Sequence, residues 1–317
     1  MKLISFILIL LQLSFIFSDP LPLFINTFYG VNISLVDTTT GSVKPVYEDS
    51  SFTNSQFEFN RIYYINSTTY LGAGAYSELN FSYKNIDMNY NNIISIDFNW
   101  EDPLMNSFFN PNTNQIYTYN NTQVYSSDPF TFERTGLNIN LPSIFKYTYE
   151  VGVIEVMLDS TENILYFYLL VPEIPDVKVD YNEGFYPCVY GIGCKYFISY
   201  SMDTGNMINS IDLHVWSTTF FMILPISSTS IIGATQDTNS YQLTFVNFNP
   251  TNGELKTLTT TEGPCQFVFS TAGDNINQIV YLLVSGNILV SYDVKSNQIN
   301  NVTLPSTAGQ IIQVGSW

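Results

Sequence analysis

Hydrophobic positions come in short runs of β-branched and aromatic residues, and no segment sustains a helical period. Residues 61–65, 163–171, 196–200, 242–248 and 278–284 are such runs, separated by clusters of Asn, Asp, Gly, Ser and Thr. Runs of this length with frequent turn signals predict strands, and together they predict an all-β protein.

One element recurs: a strand-like run, a polar turn ending in Gly or Asn, then a second run. The turns read Asp37-Thr-Thr-Thr-Gly41, Asp203-Thr-Gly205, Asn249-Pro-Thr-Asn-Gly253 and Asp293-Val-Lys-Ser-Asn297, with weaker copies at Phe132-Glu-Arg-Thr-Gly136 and Asn89-Tyr-Asn-Asn92. In all but the copy at 132–136, an Asp or Asn side chain can bond the turn backbone, and the final Gly or Asn tolerates positive φ. The turn ends fall at 41, 92, 136, 205, 253 and 297, spaced by 51, 44, 69, 48 and 44 residues. A second marker precedes most of them: Asn60-Arg-Ile-Tyr63, Asn114-Gln-Ile-Tyr117, Asn163-Ile-Leu-Tyr166 and Asn277-Gln-Ile-Val-Tyr281. It reads as a turn feeding an inner strand. Four short strands with their turns need about 40–50 residues, the size of one propeller blade. The competing arrangement is a β sandwich whose Asn-rich turns recur through composition alone.

With these hairpins the chain resembles the broad class of secreted β-propellers whose blades carry a D-x-x-T-G turn, similar to quinoprotein-like, YVTN-like and Kelch-like repeats. The Gly-His and Trp-Asp marks of WD40 blades and the double glycines of Kelch blades are missing. Six turns predict six blades of four antiparallel strands, with five and seven as the neighbouring counts. The first turn comes too early to complete a blade, and the strand-like Gln310-Ile-Ile-Gln-Val follows the last one. The C-terminal strand is therefore expected to join the N-terminal strands in one composite blade, which removes two open sheet edges. The 69-residue spacing predicts an insertion in the fourth blade at about 171–195, rich in Pro and aromatic residues. Long loops on rigid scaffolds are where binding residues concentrate.

Lys2, the apolar run Leu3–Phe17 and Ser18 have the shape of a signal peptide, shorter than the ~20 residues that span a bilayer. The expected organisation is residues 1–18 removed and 19–317 forming a single secreted or lumenal domain, with no transmembrane segment after cleavage. Sequons at Asn32, Asn66, Asn80, Asn120 and Asn301 would then meet the glycosylation machinery. In that compartment the short loop between Cys188 and Cys194, with Gly191 and Gly193 inside it, favours a disulfide. Cys265 is then left as a buried thiol, although its pairing with either partner stays open.

Charge narrows the chemistry. The chain of 317 residues has 10 Lys and Arg against 27 Asp and Glu, a net charge of −17. With Arg61 and Arg134 its sole arginines, it cannot coat a phosphate backbone, so no nucleic-acid partner is expected. The sole histidine, His214, leaves no His-rich metal site. Carboxylates group at Asp97, Glu101 and Asp102, at Glu155 and Asp159, and at Glu173, Asp176, Asp180 and Glu183. A glycosidase needs two acids facing each other about 5–9 Å apart, and these read more simply as solvated turn acids. No metal and no cofactor is assigned. Calcium is the one ion that Asp274, Asn277, Asp237 and Asn239 would suit.

The expected function is a non-catalytic binding module for an extracellular glycan or protein, with Tyr181, Phe185, Tyr186 and Tyr190 of the insertion as its aromatic contacts. An extracellular carbohydrate-active hydrolase or lyase and a structural coat protein are the alternatives.

Overall fold

A computed structural model describes residues 23–26, 31–49, 58–66, 69–77, 80–87, 92–99, 106–110, 112–119, 122–131, 133–142, 145, 153–171, 194–213, 219–237, 239–306, 308 and 310–312. From 46 to 107 it describes backbone alone. In chain order the strands are β1 (Leu23–Asn26), β2 (Val31–Val36), β3 (Val43–Asp49), β4 (Glu58–Asn66), β5 (Thr69–Ser77), β6 (Asn80–Asp87), β7 (Asn92–Asn99) and β8 (Asn106–Asn110). They continue as β9 (Gln115–Tyr119), β10 (Gln123–Ser127), β11 (Arg134–Asn140), β12 (Val153–Asp159), β13 (Ile164–Val171), β14 (Cys194–Ser201), β15 (Met207–Asp212) and β16 (Thr219–Ser227). The last are β17 (Ser230–Gln236), β18 (Leu243–Phe248), β19 (Leu255–Thr260), β20 (Val268–Asp274), β21 (Ile279–Val284), β22 (Ile288–Asp293), β23 (Gln298–Thr303) and β24 (Gln310–Ile312).

The strands sort into six four-stranded sheets. Sheet one is β24-β1-β2-β3, and sheets two to six take β4 to β23 four at a time in chain order. The leading strands lie side by side in succession: β24 by β4, β8 by β12, β12 by β16, β16 by β20 and β20 by β24. Four-stranded antiparallel sheets stacked around shared inner strands make a β-propeller. Sheet one is composite: β24 pairs antiparallel with β1, setting Phe24 opposite Ile312 and Asn26 opposite Gln310.

Among the described side chains, apolar cores fill the spaces between sheets three and four, four and five, five and six, and six and one. On β13, Leu165, Phe167 and Leu169 pack toward sheet three, while Tyr166 and Tyr168 pack toward sheet five. The aromatic triplet is thus buried on both faces of one strand, the position of a central strand in a stacked sheet. Glycine sets how closely sheets approach. A Cβ on Gly273 of β20 would stand 2.9 Å from the Ile223 carbonyl oxygen of β16. The fourth strands lie at the outside, and β23 has only exposed and half-buried residues.

The turns explain the repeat, and in three places they correct its reading. Gly136 lies inside β11 where the ladder with β10 shifts register; the turn there begins at Asp128, whose N–H bonds the Glu133 carbonyl. The copy placed at Asp203 starts two residues earlier, at Ser201. The Gly205 N–H bonds the Ser201 carbonyl, as Gly41 bonds Asp37, and the Ser201 hydroxyl takes the capping role. Asn60 sits within β4 at a register shift, not in a turn.

Candidate functional site

In a four-stranded meander, the hairpins joining strands one to two and three to four open on one face of the propeller. The hairpins joining two to three, and the connections between sheets, open on the other. We call these the turn face and the loop face.

The turn face is stitched by side-chain caps. Asp37 Oδ1 accepts the N–H groups of Thr39 and Thr40 at 2.8 and 3.1 Å. Asp159, Asp274 and Asp293 make the same pair of bonds in their turns. Each such turn ends on a left-handed residue: Gly41, Asn163, Gln278 and Asn297 respectively. In the marker read as Asn277-Gln-Ile, it is therefore Gln278 that takes the positive φ, while the Asn277 amide bonds Asp274 Oδ2 at 2.7 Å. The Thr39 N–H, then Thr40, hold the Asp37 carboxyl below the usual carboxylate range. The calcium candidates Asp237 and Asp274 likewise spend Oδ1 on their own turns.

Asparagine also joins sheets across this face. The Asn209 amide of β15 donates to the Pro250 and Thr251 carbonyls in the outer turn of sheet five. Asn300, at the same position of β23, donates to the Thr38 carbonyl in the outer turn of sheet one. Asn110 and Asn163 link the inner turns of sheets three and four, and Asn163 donates on to Asp203 at 2.5 Å.

The loop face carries the features a ligand would meet. β13 ends at Val171 and β14 begins at Cys194, directly opposite it. On sheets five and six, the loops bond one another. The Cys265 N–H donates to the Tyr241 carbonyl at 2.7 Å, and the Ser285 N–H donates to the Gln266 and Phe267 carbonyls. The Ala308 N–H donates to the Gly286 carbonyl. This frame presents three aromatic side chains to solvent: Tyr241, Phe267 and Phe269, with relative exposures of 41%, 67% and 45%.

All three occupy unusual backbone. Tyr241 and Phe267 have φ of 55° and 50°, a left-handed conformation uncommon for bulky residues. Phe269 falls at a register shift of β20, where Val268 faces Val284 and Ser270 faces Leu283, leaving Phe269 outside the ladder. Bulges of this kind re-aim side chains.

Of the residues expected to form the site, Tyr181, Phe185, Tyr186 and Tyr190 lie outside the described residues, as do Cys188, His214 and Asn120. Cys194 is described as backbone, at the start of β14; Asn32, Asn66 and Asn80 are backbone positions in β2, β4 and β6. Asn301 is exposed on β23. Cys265 is a free, buried thiol, and burial raises its pKa, which makes it a poor nucleophile. Among the described residues no group of three His, Cys, Asp or Glu stands close enough to hold a metal ion, and no helix is long and apolar enough to cross a membrane.

Tyr241, Phe267 and Phe269 were not among the expected site residues. For Tyr241 a signal is present. Asp237-Thr-Asn-Ser-Tyr241 is the same capped turn, with tyrosine where the others place Gly, Asn or Gln. Phe267 and Phe269 offer no such signal, because their geometry follows from Ser285 and from the β20–β21 register.

No known family model matches the chain, and no curated protein matches it in sequence. Solved structures do. Hydrazine synthase of Kuenenia stuttgartiensis aligns with a TM-score of 0.54 at 12% identity, over 88% of this chain and 78% of that one. The Cps50 (Swd1) β-propeller domain of Myceliophteria thermophila aligns with a TM-score of 0.51 at 10% identity, over 94% of this chain and 90% of that one. These likenesses establish the propeller fold.

Proposed function

We propose that the chain is a secreted glycoprotein that acts as a non-catalytic binding module for an extracellular glycan or protein. Its six sheets are the six blades of one closed ring, and its loop face is the binding face. The observation that carries this reading is the placement of the insertion. Its ends meet at Val171 and Cys194, on the face where Tyr241 and Phe267 stand exposed. The aromatic residues expected to bind, Tyr181, Phe185, Tyr186 and Tyr190, all fall within 172–193. A disulfide between Cys188 and Cys194 would staple the C-terminal end of that loop to β14. The exposure of Asn301 on an outer strand supports glycosylation there, and a glycan would also shield that strand's open edge.

Deletion of residues 173–187 is the test. The variant is expected to keep the unfolding transition of the wild type, because the removed segment lies between paired strand ends. It is expected to lose binding to arrayed glycans and to the surface of the secreting cells. Full binding by the deletion variant would take the insertion out of the site. No binding by the wild type in either assay would contradict the function.

A further inference from the structure

We infer that Tyr241, Phe267 and Phe269 form a stacking subsite of the loop-face site, which takes the flat face of a neutral sugar ring. This rests on the binding function proposed above and narrows its ligand to an uncharged saccharide. Residues held in sparsely populated conformations persist where the surrounding structure over-determines them, and they cluster at ligand sites. Here two large aromatics sit in left-handed backbone and a third at a bulge. All three rings are partly open to solvent.

The platform is also rigid. The Tyr241 carbonyl is held by Cys265, whose own carbonyl accepts from the Gln236 amide. The Gln266 carbonyl takes both the N–H and the hydroxyl of Ser285, the hydroxyl at 2.7 Å. A pre-ordered aromatic platform loses little entropy when a ligand arrives.

An extended peptide binds by completing a ladder of main-chain hydrogen bonds, and the carbonyls of Tyr241, Gln266 and Phe267 are already taken. A folded protein partner needs about 800 Å² on each side, far more than three side chains offer. The loops that build the platform, 237–242 and 261–268, hold no Lys or Arg, and Asp237 and Glu262 lie exposed in them. That balance repels sulfated or phosphorylated ligands. It leaves the Glu262 carboxylate and the Gln266 side-chain amide to bond sugar hydroxyls, while the rings meet the apolar C–H face of the sugar.

The test uses the secreted protein on arrayed neutral oligosaccharides of glucose, mannose and N-acetylglucosamine, with sulfated oligosaccharides alongside. Tyr241→Asn and Phe267→Asn remove a ring while keeping a residue that accepts positive φ, so folding is expected to hold. Each is expected to weaken neutral-saccharide binding about tenfold, the scale of one aromatic contact with its buried area. The double variant is expected to abolish it, and Tyr241→Phe to bind as the wild type does. Saturation-transfer NMR on unmutated protein gives a mutation-free reading: sugar C–H protons of one ring face are expected to take up the most saturation from aromatic resonances. Unaltered binding by both Asn variants, or retention of sulfated sugars alone, would overturn the stacking site. If binding were lost on deleting 173–187 but not with the Asn variants, the stacking site would fall while the binding function stood.

Discussion

Replacing Phe167 by Ala is expected to destabilise the fold by about 3–5 kcal/mol, the range for emptying a fully buried aromatic site. Phe167 is completely buried, and its ring meets Tyr119, Phe145 and Tyr200 edge-on at centroid distances of 5.5, 5.1 and 6.0 Å. Those three residues come from sheet three, from the connection that follows it, and from β14. Three surroundings anchored on different elements cannot collapse together into the space, so most of the cavity would persist. Domains are stable by only about 5–15 kcal/mol in all, so the denaturant midpoint should drop sharply with its slope unchanged. The opposite face of the same strand supplies a contrast. The Tyr168 hydroxyl is buried without a hydrogen-bond partner among the described residues, and Tyr168→Phe removes that desolvated group at no loss of packing. It is expected to leave stability unchanged or raise it by about 1 kcal/mol. A loss below about 1 kcal/mol for Phe167→Ala would mean that sheets three and four are not packed through this strand.

Gly41→Ala is expected to cost about 3 kcal/mol, as the sum of a left-handed alanine and an overpacked contact. Gly41 has φ of 74°, and a Cβ there would stand 2.6 Å from the Thr303 carbonyl oxygen of β23. That oxygen belongs to backbone in a paired strand and has little room to move. The contact lies where the closing sheet meets sheet six, beside the Asn300–Thr38 bond. Gly253 is its counterpart between sheets four and five, with φ of 77°, but the atom its Cβ would meet, at 2.9 Å, is Cγ2 of Ile211. A side-chain methyl can shift, so Gly253→Ala should cost less, about 1–2 kcal/mol. Asparagine separates the two causes. It accepts positive φ, so Gly253→Asn should recover most of the loss and Gly41→Asn should not. Gly263, whose Cβ would meet nothing within 4 Å, is the control. If equilibrium unfolding gave Gly41→Ala and Gly263→Ala the same stability, the seam between sheets six and one would not be as described.

The hairpin grammar of this chain is readable because each turn needs a side-chain acceptor at its first position and a left-handed residue at its fifth. Few residue types serve either role, so composition and spacing reveal the turns. The misreadings come from the same source. Ser201 caps as Asp37 does, and the more conspicuous Asp203 drew the turn two residues late. Gly136 has φ of 150° because of a bulge in β11, so its glycine marks a strand. The pairing of the C-terminal strand with the N-terminal strands was legible from the early first turn and the late Gln310–Val314 run, and the β24–β1 ladder shows it. The Asn209 and Asn300 bonds between sheets were not legible: nothing beside either residue names its partner turn. The aromatic platform was hidden for a related reason. Whether Phe267 and Phe269 point into a core or out to solvent depends on a register shift and on two bonds from Ser285, all set by tertiary pairing.

The central claim is that ligand is met on the loop face. Amide hydrogen exchange of the purified protein, with and without a saturating neutral oligosaccharide retained on the array, tests it directly. The account predicts slowed exchange in 237–242, in 265–269 and in the insertion, with the capped turns at 37–41, 159–163 and 249–253 unchanged. Slowing confined to those capped turns would place the ligand on the opposite face and contradict the account.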